Sequence, residues 1–314
     1  MRIAVTGGSG FIGKHLINEL LKNDYYVNAL SRVKRDSNNK NLKWFEGDLN
    51  DRKSLNAFLE NCDVVCNCAG EISNPENFQQ HNVEAVKKLY QASTTLQVDL
   101  FIQMSSAGIY KIPTEGVVEE SSDFYAYDNY EESKINAEKW LYEHKIINTV
   151  ILRPTTVYGD DMPNQSLKNL FSAIQNKRFF YIGSKEAYSC YISVDNVVDA
   201  ISKILSTPSD EIHAFETYNL SHDISYKDFI QITSKLLQVD NPNLRVPLWT
   251  MLVLLWFNET FFRLTLPLTV NRARTLARRS YFSSLKLQKD FSWSPPISHC
   301  ETIGRCIEAW FPKK

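Results

Sequence analysis

A tyrosine and a lysine four residues apart are the first candidates for chemistry in this chain of 314 residues. Two such pairs occur, Tyr130/Lys134 and Tyr181/Lys185. Tyr130 leads into a segment with a clear helical pattern, which puts both side chains on one helix face, whereas the second pair contains Gly183 and has no such pattern. A nearby ammonium would lower the pKa of the phenol, which could then exchange protons with a hydroxyl or carbonyl near neutral pH. We therefore expect Tyr130 to be the reactive tyrosine.

A glycine-rich turn near the N-terminus is the second candidate. Gly7, Gly10 and Gly13 follow a short apolar run and precede a segment with helical spacing. Glycines at this spacing allow a tight turn and a close approach of backbone N–H groups to a pyrophosphate at the positive end of a helix. A purely structural turn is the alternative, but the strand-turn-helix context favours a dinucleotide site.

The end of the second predicted strand bears on which dinucleotide binds. An NAD-preferring site usually has Asp or Glu there, which accepts hydrogen bonds from the ribose 2′-hydroxyl. This chain has Ser31 and Arg32, with Lys34 and Arg35 just behind. A cation would instead neutralise a 2′-phosphate, which favours NADP over NAD. A solvated basic turn is the alternative, and it would leave NAD as the cofactor.

Strands and helices that alternate along the chain must position these residues. Apolar runs predict strands at residues 3–5, 26–30, 42–45, 63–68, 100–105 and 149–152, and helical spacing predicts helices after Gly13 and at 55–59, 83–96 and 130–144. This alternation predicts a doubly wound α/β fold, a parallel sheet with helices on both faces. We expect a dinucleotide-binding domain at 1–160, to which 190–205 returns. Residues 161–189 and 206–314 are expected to form a smaller, mostly helical substrate-binding lobe.

Composition and charge exclude several classes of protein. The chain is 43% hydrophobic and 23% charged with a formal net charge of −1, so it is expected to fold and to have no nucleic-acid partner. Its six cysteines lack the paired spacing of a zinc site, which predicts reduced structural thiols and no metal. The N-terminal residues leave no room for the apolar core of a signal peptide, so we expect a cytoplasmic location.

The most apolar stretch is 246–268, and polar residues and prolines interrupt it too often for a transmembrane helix. It predicts either a buried lobe helix or a face that touches a membrane or a lipid-like substrate. Residues 260–289 contain seven basic residues and no Asp or Glu. That run is either a solvated helix face or a site for a phosphorylated substrate.

Ordered motifs over nearly all of residues 1–205 resemble the extended short-chain dehydrogenase/reductase family, also called the NAD-dependent epimerase/dehydratase family. A looser match follows at residues 281–295. The resemblance implies a Rossmann sheet. The motifs are Thr6-Gly7-x-x-Gly10-x-x-Gly13, Gly47-Asp48-Leu49, Asn67-Cys68-Ala69-Gly70, Asn82-Val83, Ser105-Ser106-Ala107-Gly108-Ile109-Tyr110, Tyr130-x-x-x-Lys134 and Leu152-Arg153-Pro154.

The resemblance implies roles for individual residues. Tyr130 would be the general acid/base, Lys134 would hold the nicotinamide ribose while activating Tyr130, and Ser106 would polarise the reacting carbonyl or alcohol. Asp48 would contact the adenine, and Asn82 would anchor the helix behind the site. The other expected cofactor contacts are Gly7, Gly10, Phe11, Ile12, Gly13, Arg32, Leu49, Ala69 and Pro154.

Two departures from the family pattern restrict the function. Nucleotide-sugar dehydratases of the family carry Asp-Glu after the catalytic Ser or Thr, where this chain has Ala107-Gly108, which argues against dehydration. The arginine that many members place four residues before His-Val-Asp is also missing, since this chain has Ser189 there. Arg274 and Arg278 in the basic run are the candidates to replace it.

Our leading hypothesis from the sequence is an NADPH-dependent reductase of the 4-keto group of a nucleotide-activated deoxysugar. The alternatives are a nucleotide-sugar 4-epimerase and a hydroxysteroid- or dihydroflavonol-type alcohol dehydrogenase, the latter suggested by the apolar 249–257 segment. A non-catalytic NAD(P)-sensing protein on the same fold is a further alternative. The expected partner is a small molecule, a nucleotide sugar, and the resemblance implies a homodimer.

Overall fold

The computed structural model describes residues 1–184, 186–208, 211–212, 214–258, 260 and 270–312, with the backbone alone at 271 and 272. The strands of the described residues are β1 Arg2–Thr6, β2 Tyr26–Ser31, β3 Leu42–Glu46, β4 Val64–Asn67, β5 Leu100–Met104, β6 Glu115–Val118, β7 Asn148–Pro154, β8 Thr156–Tyr158, β9 Tyr181–Ile182, β10 Tyr188–Ser189, β11 Tyr191–Ser193, β12 Phe215–Leu220, β13 Ile224–Ser225, β14 Arg245–Val246 and β15 Arg279–Phe282. The α-helices are α1 Phe11–Lys22, α2 Arg52–Leu59, α3 Ala85–Thr95, α4 Asn129–Glu143, α5 Ser166–Gln175, α6 Val194–Leu205, α7 Tyr226–Leu237, α8 Leu248–Phe257, α9 Val270–Leu276, α10 Leu285–Phe291 and α11 His299–Trp310.

Seven parallel strands form the central sheet, in the order β12-β7-β5-β4-β1-β2-β3. After β1 the chain adds β2 and β3 on one side, and then crosses back to add β4, β5, β7 and β12 in turn on the other side, so the order reverses between β1 and β4. Ligands of doubly wound sheets bind beyond the carboxyl ends of the strands at such a switch point. The predicted α/β fold with a parallel Rossmann sheet is therefore confirmed.

Helices cover both faces of this sheet because each central strand is apolar on both sides. Along β1, Ile3 and Val5 pack on the face that α1, α6 and α10 cover. Ala4 points to the opposite face, where Leu55 of α2 and Leu89 of α3 complete the core. Both layers are fully buried, so the sheet is a rigid support for the loops at its carboxyl edge.

The C-terminal part of the chain builds a second layer beyond that edge. Helices α5, α7 and α11 share an aromatic core around Phe171 and Phe229, and β15 pairs with β6. The division into two lobes stays a prediction, but the segment 206–314 is not all lobe, because β12 pairs with β7 in the central sheet. In the returning segment 190–205, β11 pairs with β8 outside that sheet, while α6 packs onto its core.

The apolar 246–268 segment is described only up to residue 258 and at 260, so its remaining residues lie outside the described part of the chain. Its helix α8 does not fit the expectation of a buried lobe helix, because only Met251 and Leu255 are buried and Trp249 is 69% exposed. Among the described residues, no helix is both long and apolar enough to cross a bilayer. The same residues contain no cluster of metal-ligating side chains.

Candidate active site

The glycine turn between β1 and α1 is shaped for close backbone contact. Gly7 has φ +64°, and a Cβ at this position would lie 2.7 Å from the backbone N of Ala69. The Gly10 N–H donates a hydrogen bond of 2.8 Å to the Gly7 carbonyl. Gly10 is the N-cap of α1 and supplies no side-chain cap, so the first N–H groups of the helix face the cleft as an anion site. The geometry fits a dinucleotide pyrophosphate.

A chain of buried side chains fixes the strand ends below this turn. The Thr6 hydroxyl donates to the Asn67 side-chain oxygen and accepts a hydrogen bond of 3.2 Å from the Ala69 N–H. Asn67 in turn donates to the Gln103 side-chain oxygen over 2.8 Å. Because Thr6 and Asn67 end β1 and β4 and Gln103 is the penultimate residue of β5, these hydrogen bonds tie the three strands together below the turn. They also set the position of Ala69 on the wall of the cleft.

Six of the expected cofactor residues line one cleft beyond β1, β2 and β4. They are Gly7, Gly10, Arg32, Asp48, Leu49 and Ala69. The Asp48 carboxylate is held by the Asn50 N–H at 2.7 Å. Phe11 and Ile12 are not among the lining residues, and they offer the cleft only their backbone N–H groups in the first turn of α1. Pro154 lies instead in a second pocket, described below.

The end of β2 carries no carboxylate that could bind a ribose 2′-hydroxyl. Arg32 is exposed and lines the cleft. Arg35 is held back, since its Nε donates to the Ser31 hydroxyl over 3.2 Å and its guanidinium stacks on Trp44. Of these cations, Arg32 is therefore the one placed to meet a bound adenosine ribose.

The expected catalytic residues come together at the carboxyl edge of β5. Ser106 caps a short 3-10 helix, Ala107–Ile109, and accepts a hydrogen bond of 3.1 Å from the Gly108 N–H. Tyr130 lies in the first turn of α4, which Asp128 caps, and the nearby Ser106 side chain lowers the pKa of its hydroxyl. Lys134 is 6% exposed and donates to the Met104 carbonyl over 3.3 Å.

Burial dominates the electrostatics of this group. Desolvation raises the pKa of Tyr130 to about 12, and the hydrogen bond to Ser106 opposes that rise only in part. Desolvation also lowers the pKa of Lys134 to about 8. The expectation that Lys134 lowers the pKa of Tyr130 is therefore wrong for this structure. The lysine Nζ lies 5.8 Å from the centroid of the tyrosine ring and is directed to the Met104 carbonyl.

Two buried networks hold α4 in place behind the site. The Asn82 amide donates to the Ser133 hydroxyl and to the Glu71 carbonyl, each over 3.0 Å, which ties a loop of the cofactor side to α4. On the other side of the helix, Glu138 forms a two-pronged ion pair with Arg153 of β7, with both side chains about 5% exposed. These contacts fit the predicted anchoring role of Asn82, which stays a prediction. The pairing of Arg153 with Glu138 has no signal in the sequence.

A carboxylate that the sequence analysis did not single out also lies at the site. Glu131, next to Tyr130, accepts a hydrogen bond of 2.6 Å from the Tyr127 N–H. Its Oε1 is 3.0 Å from the place that a Cβ of Gly108 would occupy. Burial raises the pKa of Glu131, and Arg278 partly opposes the rise. A glycine at 108 therefore makes room for this carboxylate.

The second pocket begins at Ser106 and extends toward the C-terminal residues. Its cavity volume of about 300 Å³ is enough for a small ligand such as a sugar ring. Arg278 lines it and lies 5.8 Å from the Tyr127 ring, whereas Arg274 is exposed on α9 and is not among the lining residues. Sequence reasoning missed most of the other walls, which come from short strands and α7: Ile112, Tyr188, Cys190, Tyr191, Tyr226 and Phe282.

The Rossmann sheet, the glycine turn and the Ser/Tyr/Lys group together define a dinucleotide-dependent oxidoreductase of the short-chain type. Residues 3–221 match the model of the NAD dependent epimerase/dehydratase family. The chain belongs to this family of NAD-dependent enzymes, as the motifs predicted.

Relatives with different activities match almost the whole chain. Sterol-4-alpha-carboxylate 3-dehydrogenase, decarboxylating, from Mus musculus is 24% identical over 98% of this chain and 91% of that protein. UDP-glucose 4-epimerase from Vibrio cholerae is 27% identical over 98% of this chain and 95% of its own length. Among solved structures, UDP-glucuronic acid 4-epimerase from Bacillus cereus in complex with NAD has a TM-score of 0.76 at 21% identity, covering 99% of this chain and 98% of that one. This last likeness concerns the fold alone.

Proposed function

We propose that this protein transfers hydride between a nicotinamide cofactor and position 4 of a sugar carried on a nucleoside diphosphate, and that its net reaction is 4-epimerisation. The observation that carries the proposal is the placement of Tyr130 beside Ser106, whose side chain partly offsets the burial-raised pKa of the tyrosine and lines the pocket that Arg278 also lines. Ser106 and a fixed cation therefore line one cavity next to the proton-transfer group.

The residues of the chain divide the chemistry between them. The bound cofactor would supply the hydride acceptor and donor. During oxidation Tyr130 acts as the phenolate and takes the proton of the sugar hydroxyl, and the phenol so formed returns that proton to the carbonyl oxygen during reduction. Ser106 donates a hydrogen bond to the same oxygen, and Lys134 holds the ribose beside the reacting carbon. Epimerisation also requires the sugar ring to present its other face between the two half-reactions, within the same pocket.

The substrate class follows from the pocket and from the relatives. Among the described residues of the pocket wall, Arg278 is the one with a positive charge. A guanidinium binds a diphosphate by charge-assisted hydrogen bonds. UDP-glucose 4-epimerases are among the relatives that match over most of the chain. Ala107 and Gly108 occupy the positions where the nucleotide-sugar dehydratases carry acids, and this supports a reaction at position 4 without loss of water.

Net reduction is the second candidate, and two observations favour it. Arg32 lines the cofactor cleft where an NAD site has a carboxylate, which supports NADP. Tyr130 keeps its proton at neutral pH, since burial raises its pKa to about 12, and a protonated phenol is ready to donate to a carbonyl. An NADPH-dependent reductase of a 4-keto deoxysugar nucleotide would use both features.

A substrate panel distinguishes these reactions. The purified chain is incubated with UDP-glucose and UDP-N-acetylglucosamine with NAD, with a 4-keto-6-deoxy sugar nucleotide and NADPH or NADH, and with a 3β-hydroxysteroid and NAD. We expect the 4-epimer of a UDP-sugar to form without accumulation of NADH. Consumption of NADPH with the 4-keto compound alone would establish the second candidate. Oxidation of the steroid alone would overturn both and favour a dehydrogenase activity like that of the sterol relatives.

The homodimer that the resemblance implies is a separate proposal. Sedimentation velocity of the purified chain tests it, with a monomer at all concentrations as the contrary result.

A further inference from the structure

Helix α8 is apolar on two faces. Met251 and Leu255 are buried against Ala273 of α9. The other face is exposed, with Trp249 at 69% and Leu254 at 62%. We call four exposed residues the α8 face: Leu244, Trp249, Val253 and Leu254. An exposed apolar patch of this kind marks an interaction surface.

The charge around the α8 face is positive. Residues 244–289 contain eight basic residues and one acidic residue, Glu259. Arg245 precedes α8 and Arg274 projects from α9, and both are exposed. Arg245 donates its Nε to the Gly183 carbonyl, a neutral partner that leaves its charge uncompensated. Two other cations of this region pair with acids elsewhere, Arg279 with Glu115 and Lys286 with Glu216. The net positive charge near α8 therefore favours an anionic partner.

We propose that the α8 face docks on the surface of an anionic lipid bilayer. Tryptophan and leucine side chains enter the boundary between headgroups and acyl chains, while neighbouring arginines contact lipid phosphates. The helix has ten residues and is about 15 Å long, half the ~30 Å of the hydrocarbon core, so it would lie on the surface.

A second copy of the chain is the competing occupant, and the size of the face argues against it. A stable protein interface buries about 800 Å² on each partner. One face of a helix about 15 Å long and about 10 Å wide offers only a small part of that area. Insertion into a bilayer needs no such area, because the apolar side chains themselves are transferred from water to the interface.

Docking through α8 would also orient the second pocket. Helix α9, which packs on α8, contributes Thr275 and Leu276 to the pocket, and Arg278 follows two residues later. The C-terminal wall of the pocket would therefore face the membrane side of the protein. The proposal concerns the surface and does not depend on the substrate proposed above.

Vesicle co-sedimentation tests the proposal with the full chain. Vesicles of phosphatidylcholine with a quarter phosphatidylglycerol are compared with pure phosphatidylcholine, at low and at high salt. We expect binding to the anionic vesicles that weakens with salt. The double change Trp249→Ser/Leu254→Ser should reduce partitioning by at least about tenfold, because both side chains leave the interface. Arg274→Gln should weaken binding by a few-fold at low salt and less at high salt.

The control carries the same chemical change at exposed apolar residues elsewhere, Ile72→Ser/Ile146→Ser, whose positions are 67% and 71% exposed. This variant should bind vesicles like the unaltered chain, and thermal melts of each variant establish that it is folded. Three results would overturn the proposal. They are no binding to either vesicle, equal binding by the Trp249→Ser/Leu254→Ser variant, and a concentration-dependent dimer that the same variant abolishes, which would assign the face to a second copy.

Discussion

Lys134 lies one helical turn beyond Tyr130 on α4, with its Nζ 5.8 Å from the centroid of the tyrosine ring. Burial moves the two pKa values in opposite directions, that of Tyr130 to about 12 and that of Lys134 to about 8. At neutral pH the pair therefore consists of a neutral phenol and an ammonium. The phenol can donate a proton at once, whereas it must first be activated to accept one.

Removal of the Tyr130 hydroxyl tests its role. Tyr130→Phe should lower kcat by at least about a hundredfold, the usual scale for a positioned acid/base, and leave the affinity for the cofactor unchanged. Tyr181→Phe is the matched control, because Tyr181 belongs to the other Tyr/Lys spacing and packs among Phe179 and Tyr226. Steady-state rates and a cofactor titration supply both readouts. Similar losses of kcat in the two variants would show that the wrong tyrosine has been chosen.

The low pKa of Lys134 predicts an alkaline limit to activity. Below about pH 8 the lysine carries a proton and can hold the ribose as an ammonium. As pH rises through 8 the charge is lost, so kcat/KM should fall. Lys134→Met should have low activity and no transition near pH 8, while Lys139→Met, an exposed change on the same helix, should retain the transition. A profile that stays flat to pH 10 in the unaltered enzyme would contradict the assignment.

The sequence predicts the central sheet well because its inner strands are buried on both faces. Such strands are continuous apolar runs, as in β4 and β5. The edge strand β12 was missed because its first half is only partly buried and its sequence alternates with polar residues. For helix α8 the sequence leaves a buried helix and an exposed apolar face both open, for a different reason. Its residues are apolar all round, so the sequence contains no phase that tells a packed face from an exposed one.

The candidate site likewise has some features that the sequence predicts and others that it does not. The glycine turn and the Tyr130/Lys134 spacing are local features, and local spacing is visible in a sequence. The pocket walls bring together residues that are far apart in the sequence, such as Ile112, Tyr188 and Phe282. No single segment of the sequence indicates that these residues lie in one pocket. The raised pKa of Tyr130 could not be predicted from the sequence, because it depends on desolvation by the whole fold.

Gly7 should tolerate no side chain. Its φ of +64° disfavours other residues, and a Cβ would meet the backbone of Cys68 and Ala69 at 2.7 Å. Gly7→Ala should destabilise the fold by about 1–3 kcal/mol and weaken cofactor binding more than tenfold. Gly304→Ala is the control, since a Cβ there meets nothing within 4 Å in helix α11, and it should stabilise the protein by about 0.5–1 kcal/mol. Denaturant unfolding with a cofactor titration compares the two, and an unchanged Gly7→Ala protein would refute the argument.

Arg32 determines the cofactor preference if the exposed guanidinium in the cleft meets a 2′-phosphate. We expect NADPH to bind more tightly than NADH by about 1.5–3 kcal/mol, the range of a charge-assisted contact. Arg32→Asp should invert the preference, because a carboxylate accepts from the ribose hydroxyls and repels the phosphate. Lys34→Asp introduces the same charge outside the cleft lining and should shift the preference far less. Equal affinities for NADPH and NADH in the unaltered protein, measured by fluorescence titration, would remove this role.

Arg278 is the residue through which the substrate class can be tested. Its guanidinium lines the pocket that begins at Ser106 and lies 5.8 Å from the Tyr127 ring. Arg278→Gln keeps a polar side chain but removes the charge, so each lost phosphate contact should cost about 1.5–3 kcal/mol. KM for a nucleotide sugar should therefore rise more than tenfold while cofactor affinity is unchanged.

The matched control for Arg278 is Arg178→Gln, because Arg178 is an exposed arginine of the same C-terminal half and is absent from the pocket lining. It should leave KM unchanged for every substrate. The comparison also separates the substrate classes, since an apolar ketone has no diphosphate and its KM should be insensitive to the charge at residue 278. If Arg278→Gln left KM for all nucleotide-linked compounds unchanged, the diphosphate site would have to lie elsewhere, and the sterol-type activity would become the better explanation of the pocket.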